Sequence, residues 1–138
     1  MPTARASREL PAPPEEVWGL LSEPYHLADW WPGLATVEPD RHGVAVGARW
    51  KVRSREATLL RKAGAEDMLV VTRAEPGSNF GFDLVRARVR VELTLAPSGP
   101  DGTLAELSVA GPFTGFSRHL PETALARLAA LCQTVRAI

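Results

Sequence analysis

From Met68 to Ala110 the chain presents successive strand-like runs, Met68 to Glu75, Asn79 to Arg86, Arg88 to Leu95 and Leu104 to Ala110, and the links between them are too short to hold a helix. A parallel neighbour needs a crossover of about a dozen residues or more, so these runs can only fold back on one another as an antiparallel meander. Pro76-Gly77 and Asp101-Gly102 mark two of the reversals, where proline fixes φ and glycine permits it to turn positive. Upstream, Ala48, Trp50, Val52 and Ser54 alternate with Arg49, Lys51, Arg53 and Arg55, which predicts a strand with one buried and one wet face.

The remaining segments supply more strands and the helices. Thr3 to Leu10 reads as a first strand that stops at the Pro11-Ala12-Pro13-Pro14 cluster. A helix follows, with proline in its first turn, Glu15 and Glu16 at the positive end of its dipole, and Val17, Trp18, Leu20 and Leu21 on its core side until Glu23-Pro24 ends it. Tyr25 to Trp31 forms a second short helix broken by Pro32-Gly33; Leu34 to Glu38 is a strand and Pro39 to Gly47 a turn-rich loop. Ala57 to Ala65 mixes strand and loop signals and predicts an irregular excursion. After the Pro112- and Gly115-containing link, a helix beginning at Pro121 carries Leu125, Leu128, Leu131, Cys132 and Val135 on one arc. This order predicts an α+β roll with its helices on one side of the sheet, as a single domain over residues 1–138.

Sixteen basic and sixteen acidic side chains leave no cationic surplus for neutralising a phosphate backbone, so nucleic acid is not an expected partner. The arginines and lysine of the Arg49 to Arg55 strand, with Arg86, Arg88 and Arg90, make a basic stripe, but without interleaved aromatics it reads as a solvated outer face. One cysteine, no apolar run of about 20 residues and no secretory leader point to a soluble cytoplasmic protein with no membrane span. His26, His42 and His119 have no zinc-type spacing to another ligand, and no phosphate loop or dinucleotide fingerprint occurs, so neither metal nor cofactor is expected. Exposed sheet edges are often covered by a second copy, which points to a homodimer.

The passage Ala12-Pro13-Pro14-Glu15-Glu16-Val17-Trp18, followed by Leu20-Leu21-Ser22-Glu23-Pro24, resembles the first helix of the START-like (SRPBCC) superfamily, which includes Bet v 1 relatives and polyketide cyclase/dehydrase-like proteins. Trp30-Trp31-Pro32-Gly33 and Val46-Gly47-Ala48-Arg49-Trp50 stand where those proteins carry a tryptophan-containing second helix and a strand entry. The resemblance covers nearly the whole chain and implies a helix-grip fold: a curved antiparallel sheet of six to seven strands around a long C-terminal helix, with two short helices after the first strand. It also implies an internal cavity for a small hydrophobic or aromatic ligand such as a lipid, polyketide or isoprenoid. The same superfamily holds polyketide cyclase/dehydratase-type enzymes. Tyr25 to Trp31 also resembles the Aha1-like co-chaperone branch, which acts as an interaction module.

Alternation directs Trp50, Phe80 and Phe82 inward, where aromatic rings suit a flat apolar guest or simply form core. Adjacent indoles on one helix cannot share a side, so one of Trp30 and Trp31 is expected near the surface or the cavity mouth. Arg73 shares its parity with Leu69 and Val71 and is the better inward charge, whereas Asp83 falls on the outer face. His26 and His119 flank the segments at the cavity's edges, where imidazole could serve in proton transfer.

Overall fold

The computed structural model describes residues 2–55, 64–112 and 118–136. Most of the excursion expected at Ala57 to Ala65, and most of the link before the terminal helix, lie outside the described residues. The period-two segments form β1 (Thr3–Leu10), β2 (Leu34–Glu38), β3 (Arg49–Ser54), β4 (Glu66–Glu75), β5 (Asn79–Leu84), β6 (Val89–Ser98) and β7 (Gly102–Ala110). They pair antiparallel in the order β1-β7-β6-β5-β4-β3-β2, a meander from β2 to β7 with the first strand added beside the last.

Alternation decides which side of the sheet is dry. Along β6, Val89, Val91, Leu93 and Leu95 are buried while Arg90, Glu92 and Thr94 are exposed. The dry side is covered by α1 (Pro14–Leu21), α2 (Leu27–Trp30) and α3 (Leu120–Arg136), with a turn of 3-10 helix, Pro24–His26, before α2. Pro14 opens α1 where a missing amide costs nothing, and the Pro13 carbonyl accepts from the amides of Glu16 and Val17. Helix α3 lies chiefly across β1 and β7 and against α2, and buries Ala124, Leu125, Leu128, Ala129 and Cys132 at spacings of three and four. This is the helix-grip α+β arrangement.

Val135 departs from the expected buried arc. It is 45% exposed, because the last turn of α3 borders an open crevice against α1 instead of the sheet. Among the described residues no helix is long and apolar enough to cross a membrane.

Close backbone approach fixes the glycine at position 111. A Cβ on Gly111 would stand 2.7 Å from the Arg88 carbonyl oxygen and 3.3 Å from Val89 Cα, so Gly111→Ala forces the end of β7 away from the β5–β6 turn. The expected cost is about 1–3 kcal/mol, read from urea unfolding.

Candidate functional site

The buried side of the sheet is floored by aromatic rings brought from four separate segments. Trp50 enters from β3, Phe80 and Phe82 from β5, Trp18 from α1, and Trp30 and Trp31 from the end of α2. Phe80 is the hub: its ring centroid lies 6.2 Å from Trp18, 6.3 Å from Trp50 and 5.7 Å from Phe82. Trp31 meets Phe82 edge-on at 5.3 Å and Trp30 edge-on at 5.8 Å, the offset geometry that ring quadrupoles favour. Apart from Trp18, which is partly buried, these rings are shut off from solvent. The Trp50 indole N–H donates to the Gly43 carbonyl at 2.6 Å, so its polar edge is satisfied by the loop before β3.

That loop is held by a carboxylate. Asp40 accepts from the backbone amides of Arg49 and His42, each at 2.9 Å, and from His42 Nδ1 at 3.3 Å. The Arg49 amide is the main reason its carboxyl is held below the ordinary aspartate range; burial opposes it, and the contacts with His42 add to the lowering. A depressed folded-state value means that the unfolded chain binds the proton more readily. The stabilisation is therefore present above the unfolded carboxylate value and lost as pH falls through about 4 and below. Asp40→Asn is expected to flatten the fall in Tm over that acid range, as measured by circular-dichroism melts at matched ionic strength.

Two of the sequence-based expectations about the site are corrected. Both Trp30 and Trp31 are buried, at 1% and 3% exposure. Helix α2 ends between them: Trp31 has extended backbone angles of −87° and 118°, so its side chain leaves the helical wheel and turns inward beside its neighbour. Arg73 faces outward, because a bulge shifts the β4–β5 register between Val71 and Arg73 and hands the inward position to Ala74. Its guanidinium Nε donates to Glu75 Oε1 at 3.0 Å, and this contact, with Asn79, holds the Glu75 carboxyl below its usual range.

His26 and His119 likewise stand at the surface, His26 Nδ1 at 3.0 Å from Asp29 and His119 Nδ1 at 4.0 Å from Glu122. The structure therefore brings Trp30, Trp31, Trp50, Phe80 and Phe82 into one cluster but leaves Arg73, His26 and His119 at the surface, each beside its own carboxylate. Among the described residues, no group of three or more His, Cys, Asp or Glu side chains is placed to hold a metal ion.

Two polar side chains are buried among the described residues, Asp67 and Thr103. The Thr103 hydroxyl donates to the Ala12 carbonyl at 2.7 Å, which ties β7 to the entry of α1. Asp67 accepts from the amides of Met68, Arg86 and Ala87 at 2.7, 2.7 and 3.1 Å. It shares parity with Leu69 and Val71, and a strand taken to begin at Met68 hides that signal.

A surface crevice of about 510 Å³ lies between α1 and α3, lined by Ala12, Glu16, Gly19, Leu20, Cys132 and Val135. Two of its lining residues, Leu20 and Cys132, belong to the buried core. Sequence reading placed Leu20 and Cys132 on core faces but missed the opening, whose one local signal is the small side of α1 at Gly19.

No protein of curated function matches the chain by sequence. Among solved structures, XoxI from Bacillus cereus superposes with a TM-score of 0.73 at 13% identity, covering 99% of each chain. A norcoclaurine synthase point mutant from Thalictrum flavum, solved with a transition-state analogue, superposes with a TM-score of 0.72 at 15% identity over 98% of this chain and 96% of its own. The Aha1 dimer from Colwellia psychrerythraea does so with a TM-score of 0.67 at 18% identity over 97% and 96%. At these identities the likeness is one of fold. The model of the family described as polyketide cyclase/dehydrase and lipid transport matches residues 1–134, and the chain belongs to that family.

Proposed function

We propose that this protein binds a small apolar or aromatic molecule between its sheet and helices, admitting it through the crevice between α1 and α3. The observation that carries the reading is that two core residues, Leu20 and Cys132, line this crevice, so an apolar guest seated there would touch the hydrophobic interior. A family named for lipid transport as well as cyclisation supports the ligand class. Binding is favoured over catalysis because the buried polar groups among the described residues, Asp67 and Thr103, already hold backbone partners, and the surface histidines are engaged beside carboxylates. Proton transfer to a buried substrate needs an ionisable group aimed at it. The buried thiol of Cys132 fits the reducing cytoplasm, which we take as the compartment.

Gly19 provides the test. A Cβ there meets no heavy atom within 4 Å, φ is not positive, and the position lines the crevice, so Gly19→Leu is expected to narrow it. Removing a helical glycine should raise stability by roughly 0.5–1 kcal/mol. Native mass spectrometry of the protein purified from its own host is expected to show a co-purifying small molecule in the wild type and at least about a tenfold smaller ratio of bound to free protein in the variant, a loss of about 1.4 kcal/mol of affinity. An empty wild-type protein that also takes up no hydrophobic dye overturns the reading, and the same spectrum reports whether the chain is the homodimer expected of its sheet edges.

A further inference from the structure

We propose that the turn between β5 and β6, with the neighbouring part of β4, docks on the anionic face of a phospholipid bilayer. The proposal stands apart from whatever the interior binds. Val85 and Met68 are 53% and 37% exposed, and they are neighbours across the sheet, the Val85 amide donating to the Met68 carbonyl at 2.9 Å. They stand opposite each other at the end of the β4–β5 ladder, a small apolar pair on an outer face. Cations surround them. Arg86 and Arg88 are exposed and make no ion pair among the described residues. Arg90 is balanced by Asp83 at 3.2 Å, and Lys51 stands opposite Met68 in the β3–β4 register and opposite Glu38 in the β2–β3 register. A hollow of about 430 Å³ lies beside the turn, where Val85, Leu84 and Val89 meet Arg88 and Arg90.

The turn is built to present these groups. Asp67 holds the amides of Arg86 and Ala87, and Gly111 packs so closely on the Arg88 carbonyl that a Cβ would stand 2.7 Å from it. Arg88 itself has φ of 58°, the one non-glycine residue with positive φ among those described, whereas Gly33, Gly43, Gly47, Gly64, Gly77 and Gly99 take such angles elsewhere. Glycine would relax the backbone at 88, so the chain carries a strained residue where it gains a guanidinium. Charge complementarity calls for an anionic partner, and the paired aliphatic tips call for one with an apolar layer beneath its charges. A single-stranded polynucleotide would instead be met by exposed aromatic rings, and none lies in this patch.

The test is co-sedimentation of the full chain with vesicles of phosphatidylcholine containing about a third phosphatidylserine, against vesicles of phosphatidylcholine alone, in about 0.1 M salt and again near 1 M. Binding is expected only to the anionic vesicles at the lower salt. Arg86→Gln and Arg88→Gly should each lower the partition coefficient about fivefold, the share of one surface cation. Val85→Ser, which leaves the charge unchanged, should lower it as well. Arg5→Gln, on the outer face of β1, should leave it unaltered. Arg88→Gly also relieves the positive φ, so a raised Tm shows that its loss of binding is not unfolding. Equal binding to neutral vesicles, unchanged binding of Arg86→Gln and Arg88→Gly, or an oligonucleotide held as tightly as the anionic vesicles and indifferent to Val85→Ser would each overturn the proposal.

Discussion

Phe82→Ala is expected to destabilise the protein by about 3–5 kcal/mol, a large part of the roughly 5–15 kcal/mol that holds a domain together. The side chain is fully buried on β5, where it faces Trp31 at 5.3 Å and Phe80 at 5.7 Å, and its strand neighbours in register are Val71 and Val91. Truncation removes the ring's transfer free energy, leaves a void that these rigid neighbours fill poorly, and deletes two ring–ring contacts. At a few degrees per kcal/mol for a chain of this size, Tm should fall by about 10–20 °C. Near-UV circular dichroism should lose tryptophan signal at the same time, since Trp31 would lose its fixed partner. The measurement also reports on function. A loss of less than about 1 kcal/mol would mean that Phe82 borders a space able to collapse or fill with ligand, in place of a packed core.

The architecture was legible in the sequence because it rests on periodicity and on link length, both of which survive without coordinates. The alternation of Trp50 and Val52 with Lys51 and Arg53 and the short Val85 to Val89 connection fix which side of the sheet is dry and that the strands run antiparallel. The candidate site was less legible, and each miss has a local cause. The parity that pointed Arg73 inward is valid only for an unbroken ladder, and the bulge after Val71 reverses it. The argument that Trp30 and Trp31 must diverge assumes that both are helical, whereas the chain leaves α2 between them. Strand boundaries mattered as much. With β4 begun at Met68, Asp67 is an ordinary loop acid; with β4 begun at Glu66, it lies on the inward face. The crevice depends on how α1 and α3 sit against each other across nearly a hundred residues of chain, which no local pattern encodes.

Asp67 itself carries the other large expected effect. Asp67→Ala should cost about 2–4 kcal/mol, because the amides of Met68, Arg86 and Ala87 lose a charged acceptor and water can replace it only at the exposed side of the turn. The comparison with Asp67→Asn separates geometry from charge. An asparagine keeps one oxygen for the Met68 and Arg86 amides, both of which use Oδ1, but sets its own NH₂ against the Ala87 amide in place of Oδ2. Its cost should be smaller, about 1–2 kcal/mol, and located at Ala87. Hydrogen exchange resolves the two cases: Asp67→Ala should speed exchange at both Arg86 and Ala87, and Asp67→Asn at Ala87 alone. Equal exchange in both variants and the wild type would mean that the turn is held by the strands on either side of it, chiefly by the Val85 amide on the Met68 carbonyl and by Gly111 beneath Arg88.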